Sequence, residues 1–88
     1  MSDIEELFEE IALKHLKEYY PKINFHTDSG EIAGSKYVWI NDKGTNQTYI
    51  YLTQFRGADW CAVITTKLKC QDTLTKELGI LGFMVCDL

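Results

Sequence analysis

One proline among 88 residues, three cysteines without paired spacing and no apolar run longer than Gly79 to Cys86 leave several protein classes without support in this chain. So little proline offers no linker composition, and the reading is a single compact domain over residues 1–88. The longest apolar stretch falls well short of the roughly 20 residues that cross a bilayer, so no membrane insertion is expected. Ser2, Asp3, Glu5 and Glu6 stand where a targeting signal would put basic and then apolar residues. The expected location is therefore the cytoplasm, that of a host cell if the chain is phage-encoded.

Metal and phosphate motifs are missing as well. Cys61, Cys70, Cys86, His15 and His26 contain no C-x-x-C or H-x-x-x-H pair, so neither a zinc site nor a disulfide framework is expected, and the cysteines read as reduced thiols. Gly30 and Gly34 lack the lysine and the strand-to-helix context of a phosphate loop. No cofactor is expected.

What the chain does contain is 45% hydrophobic residues and 12% aromatics, far from the composition of disordered proteins. Its net charge of −4 is unevenly spread. Residues 34–70 carry Lys36, Lys43, Arg56, Lys67 and Lys69 against Asp42 and Asp59, a local excess of positive charge, and the remainder is acidic.

Ser2 followed by Glu5 has the spacing of a capping box, and Pro21 stops a helix, so the sequence predicts a helix over about 3–20. At 100° per residue Ile4, Leu7, Phe8, Ile11, Ala12, His15 and Tyr19 form its core stripe, while Leu13, bordered by Leu16 and Tyr20, forms a second apolar edge. His15 on that stripe reads as a core histidine. Ile23 to Thr27 predicts a short strand ending in the turn Asp28-Ser29-Gly30. Lys36 to Asn41 and Thr48 to Thr53 predict an antiparallel hairpin, and Trp60 to Thr66 a third meander strand. Asp72 or Thr73 is the expected cap of a short helix through Leu78 with Gly79 as its left-handed stop, and Ile80 to Asp87 reads as a buried closing strand. The expected fold class is α+β: an N-terminal amphipathic helix on one face of a mainly antiparallel sheet of four or five strands, with a short second helix before the last strand.

Alternation divides the hairpin into an aliphatic set, Val38, Ile40, Ile50 and Leu52, and a ring-bearing set, Tyr37, Trp39, Tyr49 and Tyr51. The aliphatics carry no polar atom and suit the core. The rings, whose hydroxyl and indole groups need partners or water, are expected to face outward as a partner-binding surface. Phe55 and Arg56 at a loop tip, with Trp60 behind them, extend it. Glu6, Glu9, Glu10 and Leu13 form a secondary acidic surface on the helix. Cys70, beside Lys67 and Lys69 and ahead of a helix start, is the one nucleophile candidate, but no base or oxyanion site accompanies it, so no enzyme activity is expected. Cys61 and Cys86 read as small core hydrophobes.

The functional expectation is a small non-catalytic protein-binding module, most naturally an inhibitor that occludes a macromolecular partner. Antitoxins, immunity proteins and phage anti-defence proteins such as anti-CRISPRs act in this way, although no motif in the chain specifies that class. The partner is expected to be another protein, which could itself belong to a nucleic-acid-binding complex. Two alternatives use the same aromatic face: a small-ligand or nucleotide binder in which Arg56 clamps a planar anion, across a homodimer if one forms, or a single-stranded nucleic-acid binder. The net negative charge opposes the last, because phosphate contacts supply much of such affinity.

Overall fold

The computed structural model describes residues 3–30, 36–54 and 59–87. The first amphipathic segment is helix α1 (Asp3–Tyr19). Its end falls where proline chemistry requires: the Tyr20 amide still donates to the Leu16 carbonyl at 2.8 Å, but Pro21 has no amide hydrogen with which to continue. The capping box at Ser2 lies outside the described residues.

After α1 come β1 (His26–Ser29), β2 (Lys36–Asp42), β3 (Thr45–Gln54), β4 (Trp60–Ile64), helix α2 (Gln71–Ile80) and β5 (Met84–Asp87). The strands stand in one open sheet in sequence order. The first three pairings are antiparallel, and β5 lies parallel to β4 because α2 carries the chain back along the sheet. This is the expected α+β arrangement of an N-terminal helix, a mostly antiparallel sheet and a short helix before the last strand.

Both helices lie on the aliphatic side. Phe8, Ile11, Ala12 and Leu16 of α1 and Leu74 and Leu78 of α2 close over Val38, Ile40, Ile50, Leu52, Ala62 and Ile64. Along the sheet, Thr27, Val38, Ile50 and Ile64 are successive cross-strand partners, which puts Ile50 in the middle of this layer with no exposed surface. Tyr19, expected on the core stripe, is 39% exposed. Leu16 is wholly buried instead, and the Tyr20 ring packs against the core beyond the last helical turn. Leu13 is half-buried against the same core, so the second apolar edge of α1 is used within the chain.

Two chain reversals differ from the sequence reading. The hairpin closes through Lys43 and Gly44 alone, with φ of 54° and 86°, so the strands run closer to the tip than their apolar content implied. A two-residue turn with both central φ positive matches the twist of the flanking strands, and Asn41 supports it by accepting the Gly44 amide at 3.2 Å and donating to Asn46 at 2.9 Å. Lysine bears a steric cost at such a φ. Lys43→Asn is therefore expected to stabilise the domain by about 0.5–1 kcal/mol, read as a higher urea midpoint with an unchanged slope.

Gly79, expected to stop α2, lies inside the helix, which ends on Leu81 as its cap. Gly82 takes the left-handed conformation at φ 95°. Its amide donates to Gly79 O at 3.1 Å and that of Phe83 to Leu78 O at 3.0 Å, the bonding pattern of a Schellman stop with its apolar pair, Leu78 and Phe83, both buried. At the other end the N-cap is Cys70, with no side-chain capping bond, not Asp72 or Thr73. β5 is an edge strand rather than a buried one: Met84, Cys86 and Asp87 are exposed, and Val85 alone packs toward the core.

Candidate aromatic contact face

The register places one row of side chains across all five strands on the side away from the helices: Asp28, Tyr37, Tyr51, Val63 and Cys86. Flanking rows on the same side hold His26, Trp39 and Thr48, and Thr53, Cys61 and Met84. Among the described residues no element packs as a second layer over this face. Cys61 and Val63 are buried, yet neither belongs to the core cluster. Met84 is 50% exposed.

Trp39 is the most constrained ring here. His26, its direct partner on β1, stacks on it with centroids 4.6 Å apart and planes at 28°, and its indole Nε1 donates to Asp28 Oδ2 at 2.7 Å. The ring is thereby held in place from two directions while remaining half-buried. Tyr37 and Tyr51, opposite each other on β2 and β3, are also half-buried. These three rings stand where alternation puts them.

Tyr49 does not. Pairing passes from Val38 with Ile50 to Trp39 with Thr48, leaving Tyr49 without a partner on β2. The extra residue is a β-bulge, which breaks the period of two and re-aims a side chain. The Tyr49 ring consequently points to the helix side, edge-on to Phe25 at 5.5 Å and to Tyr20 at 6.3 Å, and burial raises its hydroxyl pKa, with lesser contributions from Tyr20 and Asp42. Trp60 also leaves the proposed surface: as partner of Gln54 it shares the side of Leu52 and Ala62 and packs against the core. Phe55 and Arg56 lie outside the described residues. What sequence reading missed on this face is its β4–β5 half, Val63, Met84 and Cys86, because strand order had to be known before they could be placed beside Tyr51.

The acidic surface is partly committed. Glu6 and Glu10 are exposed, but Glu9 pairs with Lys36 of β2 at 3.3 Å, tying a positive charge of the basic middle segment to α1. Where α1 meets α2, Glu77 clasps two residues: Oε2 accepts from Lys14 Nζ at 2.9 Å and Oε1 lies 2.7 Å from Nε2 of the buried His15. Thr73 Oγ1, 3.5 Å from His15 Nδ1, donates to the Cys70 carbonyl at 3.1 Å, so its proton is committed to the backbone. The Lys14 bond first, and the His15 bond next, hold the Glu77 carboxyl below its ordinary value of 4.5. A depressed acid favours the folded state above that ordinary value, and the advantage is lost as pH falls through the folded pKa. Glu77→Gln is accordingly expected to melt below the wild type near neutral pH, with the difference closing as pH falls below the ordinary value in a series of thermal melts.

Cys70 does not have the environment of an activated nucleophile. It is almost fully buried in the core, and desolvation raises its pKa, opposed by a backbone hydrogen bond and reinforced by Glu18. Of the nearby lysines, Lys69 places its Nζ over the Tyr20 ring, 5.6 Å from the centroid. Two surface depressions, of about 260 Å³ by Ile64, Thr66, Lys67, Gln71 and Asp87 and about 140 Å³ by Ile4, Asp59, Trp60, Leu81, Gly82 and Phe83, fall below the usual size of a small-molecule site. Neither opens on the aromatic face. Among the described residues no group of three or more His, Cys, Asp or Glu could hold a metal ion, and no helix is long and apolar enough to cross a membrane. No protein-family model, no curated protein and no solved structure matches the chain.

Proposed function

We propose that this domain is a non-catalytic protein-binding module that inhibits a macromolecular partner by covering its working surface, making contact through the sheet face away from the helices at Tyr37, Trp39 and Tyr51. One observation carries the reading: the rings stand on a side that no described element covers, and Trp39 is already fixed there by His26 and Asp28. Aromatic side chains ordered before binding lose little entropy on contact, and such residues supply most of the energy of protein interfaces.

The same geometry favours protein over nucleic acid. One face of the Trp39 ring is occupied by His26, and the Asp28 carboxylate beside it would repel phosphate. Lys36 pairs with Glu9 on the helix side, turned away from this face. An apolar patch with a basic rim is the surface that would complement this face, given Asp28 and the net charge of −4. Occlusion of such a partner in a cytoplasm, as antitoxins, immunity proteins and anti-CRISPRs practise it, is the activity proposed.

Adding single-stranded oligonucleotides, and separately nucleotides, to the isolated protein while following tryptophan fluorescence is expected to give no saturable change up to roughly 100 μM at physiological salt. Saturable quenching that Trp39→Phe removes would replace the protein-binding reading with the nucleic-acid or nucleotide one.

A further inference from the structure

Two of the three cysteine sulfurs in the chain meet. Cys61 on β4 and Cys86 on β5 both face the side of the sheet away from the helices, with Sγ atoms 3.1 Å apart. They are diagonal neighbours, since the direct partners are Met84 for Cys61 and Val63 for Cys86. A disulfide bond is about 2.05 Å long, so the sulfurs would have to approach by roughly a further 1 Å. β5 has room for that shift: it is four residues long, stands at the sheet edge and is mostly exposed. Cys70 is buried on the opposite side, within the helix-packed core.

The two sulfurs differ in access. Cys86 is exposed and Cys61 is buried. Desolvation first, then the hydrogen bond and charge of Cys86, push the Cys61 thiol up to about 11. Any oxidant therefore reaches Cys86 first, and Cys61 is placed to finish the reaction.

We propose that Cys61 and Cys86 form a redox-active dithiol site that a low-molecular-weight disulfide, such as oxidised glutathione, converts to an intramolecular disulfide. The Cys86 thiolate attacks one glutathione sulfur, the glutathione S–S bond breaks, and one glutathione thiolate leaves. Cys61 then gives its proton to solvent, and its sulfur attacks Cys86 Sγ, expelling the second glutathione thiolate. Two protein thiols are oxidised to one disulfide, and one glutathione disulfide is reduced to two thiols. The new bond ties the edge strand to β4 and closes the segment that contains α2. In a reducing cytoplasm the site rests as the dithiol and the disulfide is a transient state. This chemistry does not depend on the protein-binding reading.

The reduced protein, incubated with oxidised glutathione, quenched with an alkylating reagent under denaturing conditions and weighed intact, tests it. The expected product has lost the mass of two hydrogen atoms, keeps one alkylatable thiol at Cys70, yields a Cys61–Cys86 linked peptide pair and reverts with dithiothreitol. Cys61→Ser is expected to stop at the mixed disulfide, with one glutathione on Cys86. Wild-type protein that stops there too, that keeps all three thiols alkylatable, or that forms its only disulfides between two copies of the chain overturns the proposal.

Discussion

Replacing Trp39 and Tyr51 together by Ser is expected to weaken partner binding by at least about 1,000-fold while the domain remains folded. Central aromatic residues of an interface each cost about 2 kcal/mol or more when truncated, and two such losses correspond to about three decades in Kd. The folded state is affected far less. The Tyr37–Tyr51 and His26–Trp39 cross-strand pairs contribute roughly 0.2–1 kcal/mol each, which lowers the melting temperature of a domain this size by up to about 10 °C. Calorimetric titration of the purified partner, with circular dichroism of the free variant, reads both effects. Glu6→Lys with Glu10→Lys is the companion variant: these exposed charges stand on α1, on the other side of the sheet from the rings, so their reversal is expected to alter association rate and salt dependence rather than residence time.

Ile50→Ser is the counterpart on the other face and is expected to unfold the domain. Ile50 is wholly buried between Val38 and Ile64, so the substitution removes apolar burial, leaves a cavity and encloses a hydroxyl without a designed partner. Together these effects cost about 4 kcal/mol or more. A domain of this length is stabilised by only about 4–13 kcal/mol in total. Urea titration followed by circular dichroism should therefore show little or no folded baseline. Tyr51→Ser, one residue along the strand, should cost no more than about 1 kcal/mol.

The faces of the hairpin were legible in the sequence because strand alternation is rigid, and Val38, Ile40, Ile50 and Leu52 are all buried as their positions predict. Tyr49 was not legible for the same reason inverted: one extra residue in β3 moves it to the other side, and neither Gly nor Pro marks the bulge. The turn through Lys43 and Gly44 was missed because the strongest signal for that geometry is Asn or Asp before Gly, and lysine at positive φ is not part of it. At the end of α2 the signal was present in the chain. The sequence reading took Gly79 as the stop, whereas the left-handed residue is Gly82, and Phe83, the apolar residue that follows it and buries near Leu78, is the feature that marks it. Ile80 to Asp87 read as a buried strand from its composition, but β5 begins only at Met84 and lies at the sheet edge, which leaves Met84 50% exposed, while Ile80 ends α2 and is 75% exposed. The contact between Cys61 and Cys86 depends on strand order and parallel register, neither of which residue spacing encodes.

Hydroxyl-radical footprinting of the free domain and of its complex, read residue by residue by mass spectrometry, tests the contact face most directly. Tyr37, Trp39 and Tyr51 should be oxidised in the free protein and protected in the complex, while Tyr19 and Ile80, exposed on the helices, stay reactive in both. Rings already protected in the free domain, or equally reactive with and without the partner, would contradict the assignment of this face as the binding surface.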